Sequence, residues 1–213
     1  MALQLGEHPW ILIGLIFLEL LFIILPALIF SHLKRKSFMD ELAEMGFKKN
    51  EKLLLKIVFG FSFGIVFFFL SSPVIFLFRD LIIKALFGNE FVELGQQGAI
   101  STTPIQPNAL QLAILIILQT IIIGPCEEAF FRGFLIKKFN LKLKVAYSIL
   151  ISSFIFTIYH VPPFLVPYQT FITYFGYYFT FGLLLSSIFL YFDYSIIPCA
   201  IAHSFFNILL MVF

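Results

Sequence analysis

Six polar residues stand in stretches where hydrocarbon should exclude them, and their spacing suits hydrolytic chemistry. The segment Gly124-Pro125-Cys126-Glu127-Glu128-Ala129-Phe130-Phe131-Arg132-Gly133 places two carboxylates and an arginine among apolar neighbours. If it is helical, Glu128 and Arg132 are i,i+4 and share a face. Glu127 then points about 100° from Glu128 and about 140° from Arg132. That division leaves a structural ion pair, Glu128–Arg132, and a second carboxylate free for other work. Burial makes such a carboxylate a better general base near neutral pH. Phe156-Thr157-Ile158-Tyr159-His160 and His203-Ser204-Phe205-Phe206-Asn207 add two imidazoles and an amide. Phe156 shares a helical face with His160, and His203 shares one with Asn207.

The elements that must hold these groups are membrane helices. The chain has 213 residues, 61% of them hydrophobic and 12% charged. Soluble domains are about 45–50% apolar and about 25% charged, so a cytosolic globular protein is excluded. So is a disordered chain. The 31 Phe suit contact with lipid. A net charge of +2 gives no reason to expect nucleic acid as a partner. Cys126 and Cys199, isolated in apolar runs, form neither a disulfide framework nor a paired metal motif. The first nine residues lack Lys and Arg, so the positive region that precedes a signal sequence is missing.

Six apolar stretches, roughly 10–33, 54–78, 109–136, 145–161, 168–191 and 195–213, approach the ~20 residues that a spanning helix needs. Their lengths and lack of alternation exclude barrel strands. The expected fold is all-α: one polytopic transmembrane helix bundle over 1–213 with about six spans and its chemistry between about 120 and 207. No inverted repeat relates the halves. Basic residues gather at 34–56 and 137–144, which makes those loops cytoplasmic and leaves both termini outside. The segment Lys34–Lys56 reads as an amphipathic anchor on anionic headgroups. The stretch 79–108 reads as an irregular external loop, broken by Gly88, Gly95, Gly98, Pro104 and Pro107, with a short interfacial helix near Leu81–Phe87. Gly60 and Gly64 form a small-xxx-small pair that marks close helix packing. Glu19 reads as a protonated or hydrogen-bonded carboxylate, Lys56 as an interfacial side chain and Cys199 as a small packing residue.

Depth tests whether the polar groups could meet. Glu127 lies ~15 Å in from Lys137, His203 ~15 Å from Asp193 and His160 ~24 Å from Lys144, at 1.5 Å per residue. Tilt, or a fourth helix that begins below the membrane surface, brings all three to one level.

Glu127-Glu128-xxx-Arg132, Phe156-xxx-His160 and His203-xxx-Asn207, in that order on successive helices, resemble the CPBP intramembrane proteases, the CAAX prenyl endopeptidase and bacteriocin-processing (Abi) family. The likeness covers roughly 120–207, and Glu44-Met45-Gly46-Phe47 resembles a short sequence that these proteins often carry before the second span. It implies an intramembrane endopeptidase with Glu127 as general base and His160 orienting the water. His203 and Asn207 would donate to the oxyanion, Glu128 and Arg132 hold the architecture, and Phe156, with Phe131, lines the site. The partners implied are the bilayer and a membrane-tethered peptide or protein, prenylated in the CAAX type, at a prokaryotic plasma membrane with the site open to the cytoplasm. Metal is open within the family. A metal-free reading is preferred because the HExxH helix motif is absent, with Zn²⁺ on Glu127, His160 and His203 as the alternative. Other classes compatible with the residues are a non-catalytic membrane immunity or binding protein and an ion-coupled transporter.

Overall fold

Apolar runs without breakers become long helices, and the breakers decide where they stop. A computed structural model describes residues 3–4, 9–47, 51–101 and 108–213. Among them are eight helices in chain order: α1 (Pro9–Lys34), α2 (Phe38–Glu44), α3 (Leu53–Phe87), α4 (Asn89–Gln97), α5 (Ala109–Asn140), α6 (Val145–His160), α7 (Tyr168–Tyr191) and α8 (Ile197–Val212). The only strands among the described residues are β1 (Leu3–Gln4) and β2 (Ile100–Ser101), paired in parallel.

Four helices are long and apolar enough to cross a bilayer: Ile16–Lys34 within α1, α3, α5 and α7. The chain is therefore an integral, multi-pass membrane protein. The other two expected spans, α6 and α8, are shorter, at 16 residues each. At 1.5 Å per residue they reach about 24 Å, less than the ~30 Å hydrocarbon core. Their ends have local causes. Pro162 and Pro163 follow His160 and prevent the helix from continuing. A turn through Asp193 and Tyr194, both at positive φ, precedes α8, which Pro198 opens.

The largest departure from the sequence reading lies at 79–108. The second span does not stop near 78: α3 runs on to Phe87 with a wide-turned stretch at Phe76–Ile83, and α4 follows. Arg79 did not end the helix because its guanidinium donates two hydrogen bonds to Asp80, at 2.9 and 2.8 Å, so neither charge stands alone. Gly88, at φ +87°, makes the break. Residues 81–87 are thus the end of α3 and not a separate interfacial helix, and α4 packs on α7. Pro104 and Pro107 lie outside the described residues.

α8 lies along α3, α6 along α7, and α1 against both α2 and the middle of α5. Gly60 and Gly64 mark the first contact, where an added Cβ would strike Ile201 or press on Phe205. The phenylalanines divide between two roles. Phe17 and Phe69 face outward, 65% and 71% exposed, as lipid contact requires. Phe67, Phe181 and Phe206 instead form an internal aromatic cluster, with Phe181 and Phe206 stacked at 4.9 Å.

The segment at 34–47 also departs from a plain headgroup anchor. Ser37 and Asp40 close a capping box that starts α2. Lys34 pairs with Glu41 at 2.8 Å and Glu44 at 2.9 Å, Lys36 with Glu44 at 2.5 Å, and Lys138 with Glu41 at 3.1 Å. Glu41 and Met45 are buried, so the segment tucks under the bundle and spends its lysines on its own carboxylates. Lys48 and Lys49 lie outside the described residues.

Lys36 and then Lys34, by hydrogen bonding, hold the Glu44 carboxyl down at about 2, from 4.5. A carboxyl depressed on folding stabilises above its unfolded value and loses that contribution as pH falls. The docked segment should therefore weaken between pH 4.5 and about 2. In acid-dependent thermal unfolding, Glu44→Gln should melt lower than wild type at pH 7, and the gap should close across this window.

Candidate active site

The site is built on the middle of α5, where the helix cannot be regular. Pro125 has no N–H to donate and would crowd the preceding turn. Wide π-type turns at Gln119–Ile123 and Ala129–Ile136 flank the short α-helical segment Gly124–Glu128. Such widened turns accommodate the proline and alter the direction of the side chains that follow. Gly124 permits α8 to approach: a Cβ there would collide with the Ser204 hydroxyl. That hydroxyl donates to the Gln119 carbonyl at 2.8 Å, which fixes α8 to α5 beside the site.

Glu128, Arg132 and His203 form a buried polar core. Arg132 Nη1 donates to Glu128 Oε1 at 2.9 Å, and both side chains are fully buried. His203 Nδ1 meets the same oxygen at 2.8 Å. Arg132 Nη2 donates to the Gly182 carbonyl of α7 at 3.1 Å, and the guanidinium lies over the Phe156 ring of α6 at 4.5 Å. Arg132 thereby ties α5 to α6 and α7, and Glu128 adds α8 through His203.

Glu127 sits on the other side of this core with the two imidazoles. Its Oε2 is 3.6 Å from His160 Nε2 and 3.9 Å from His203 Nε2, and one ligand-capable atom from each residue lies within 4.8 Å of the others. These gaps exceed hydrogen-bond length, and Glu127 Oε2 is buried without a partner. His160 ends α6. Its ring packs on Phe156 at 4.1 Å, Tyr159 at 5.2 Å and Tyr178 at 4.9 Å. Asn207 lies one turn beyond His203 on α8 and is half-buried. Phe131, edge-on to Phe156 at 5.2 Å, backs the same wall. Cys199 is fully buried, its thiol 3.4 Å from the Leu185 carbonyl.

The ring nitrogens have defined tasks. His160 Nδ1 lies 3.0 Å from the Phe156 carbonyl, which can only accept, so Nδ1 carries the proton. His203 Nδ1 likewise faces the Glu128 carboxylate. In the neutral tautomers both Nε2 atoms then offer lone pairs toward Glu127. Two imidazole lone pairs and a partnerless carboxylate oxygen, each ring held by its other nitrogen, fit Zn²⁺. They also fit a bound water, provided that His203 carries a second proton.

One part of the site was not assembled from the sequence. Tyr159 donates its hydroxyl to Glu19 Oε1 at 2.5 Å, bringing α1 to the edge of the site. Glu19 was visible as a carboxylate inside a span, but a partner 140 residues away leaves no periodic signal.

A family model described as Type II CAAX prenyl endopeptidase Rce1-like matches residues 109–209, which takes in α5, α6, α7 and most of α8. No curated protein and no solved structure matches the chain.

Removing one partner from a buried ion pair strands the other and costs roughly 3–5 kcal/mol. Glu128→Ala and Arg132→Ala should each lower stability by about that amount in detergent unfolding. A loss below ~1 kcal/mol in both, the range of exposed pairs, would show that the bundle does not depend on this core.

Proposed function

Residues 109–209 belong to the Rce1-like type II CAAX prenyl endopeptidase family, and on that basis we propose that the protein is an intramembrane endopeptidase whose general base is Glu127. The observation that carries this reading is the convergence of Glu127, His160 and His203 from three different helices. Peptide hydrolysis needs an activated water, donors for the oxyanion and a proton for the leaving amine. Glu127 takes a proton from a water that His160 orients, and the oxygen adds to the scissile carbonyl. His203 Nε2–H and the Asn207 amide donate to the oxyanion. Glu127 then passes its proton to the departing nitrogen as the C–N bond breaks. This role requires His203 in its doubly protonated form, because its Nδ1 proton is committed to Glu128.

The same Glu127, His160 and His203 would hold Zn²⁺, which when bound polarises a carbonyl and acidifies a coordinated water.

The substrate in this reading is a membrane-tethered peptide or protein tail, of the prenylated CAAX type that the family description implies. An apolar cavity of about 390 Å³, lined by Phe61, Pro125, Ala200, Ser204 and Phe205, lies beside α5 and α8 and suits a hydrocarbon chain. In this reading the site opens to the cytoplasm and both termini lie outside, which the basic segments at 34–56 and 137–144 support.

Glu127→Ala should abolish cleavage while leaving insertion and thermal unfolding near wild type. The comparison is between the membrane peptides of cells carrying either form, and full processing by the variant overturns the assignment. Chelation of the purified protein should leave activity unchanged and metal content substoichiometric. Stoichiometric zinc whose removal stops cleavage would replace the metal-free step.

A further inference from the structure

Nothing in the 109–209 match assigns a role to α1, yet α1 sends a carboxylate to the edge of the catalytic cluster. Glu19 is 3% exposed, and among the described residues its side chain accepts one hydrogen bond, from the Tyr159 hydroxyl. Its other oxygen is buried without a partner. One turn further along, Phe22 stacks on Phe130 at 4.7 Å and meets the Tyr159 ring edge-on at 4.9 Å. Glu19 also lies within electrostatic reach of Glu127.

Tyr159 is the neighbour of His160 in sequence, and their rings meet edge to face at 5.2 Å. His160 is the last residue of α6, and Val161, at φ −130°, has already left the helix. Terminal turns fray unless something ties them down. Here the tie comes from outside the matched domain: a part-buried hydrogen bond from the penultimate residue of α6 to α1. Within the proposed hydrolysis, on which this inference rests, a shift of the last turn would move His160 Nε2 relative to Glu127. Displacements of about 1 Å in such groups cost rate heavily.

We propose that Glu19 is a positioning residue, acting through the Tyr159 hydroxyl to hold His160 against Glu127, so that α1 completes the active site. What matters is an acceptor oxygen at this place, not a carboxylate as such.

The experiment uses the full chain in phosphatidylcholine nanodiscs, with a farnesylated CAAX-type peptide as probe substrate. Tyr159→Phe removes the hydroxyl and keeps the ring, Glu19→Leu removes the acceptor, and Glu19→Gln keeps an acceptor oxygen. Amide exchange over 158–161 should rise about tenfold in the first two, the effect of one hydrogen bond to a carboxylate, with 204–208 unchanged. Their kcat should fall about tenfold at constant KM, while Glu19→Gln stays within about twofold of wild type in both readouts. Unchanged exchange in Tyr159→Phe, faster exchange throughout the bundle, or Glu19→Gln as damaging as Glu19→Leu would each overturn the proposal. If the wild-type protein does not cleave the peptide, the substrate reading fails, and the exchange pattern decides the positioning role by itself.

Discussion

An arginine with no exposure at all cannot remain in a helix bundle unless its charge and its donors are satisfied. Arg132 meets most of that demand with the Glu128 carboxylate, the Gly182 carbonyl and the face of Phe156, and only its Nε–H is left without a partner among the described residues. Glu128 in turn holds His203. Because these partners sit on α5, α6, α7 and α8, neutralising one buried charge fixes how the four helices stand. The catalytic candidates then occupy the space left by this arrangement. Glu127 is adjacent to one member of the core, His160 lies four residues from another, and His203 belongs to it directly. The geometry of the site is thus a by-product of electrostatic necessity, and Glu128 serves structure and orientation at once.

Packing carries the same logic to the periphery. Small residues bring α8 close to α3 and α5, Gly60 and Gly64 on one side and Gly124 on the other. Lipid offers little hydrophobic reason for helices to associate, so close contact and internal hydrogen bonds must do it. The Ser204 bond to the Gln119 carbonyl and the Ser152 bond to the Phe131 carbonyl, at 2.6 Å, are of this kind. Both use carbonyls from α5, where the widened turns loosen the regular helical bonding.

Much of the site was legible before any coordinates. The Glu128–Arg132 spacing, the two histidines and the phenylalanine one turn before His160 all follow from helical periodicity, because each relation is local. The relations that crossed the chain were not legible. Tyr159 reaches Glu19, and Lys138 reaches Glu41, through tertiary contact alone. The stretch 79–97 was misread for a related reason. Arg79 and Asp80 look like a loop signal until they are seen neutralising each other. Composition showed the apolar runs of α6 and α8 but not their ends, which Pro162 and Pro163 set after α6 and Pro198 sets at the start of α8.

The unequal lengths of the helices have a consequence for the surrounding lipid. At 35 residues α3 extends about 52 Å, whereas α6 and the α8 beside it extend about 24 Å. No single hydrocarbon thickness matches both. A bilayer that suits the short helices forces α3 to tilt or project, and one that suits α3 leaves the ends of α6 and α8 below the headgroups. Hydrophobic mismatch of this kind is relieved by local thinning, at a fraction of a kcal/mol per ångström. Thinning around α6 draws an aqueous boundary toward His160, which ends that helix at the end away from the basic 137–144 segment. The bundle thus sets the thickness of its own solvent around its two short helices.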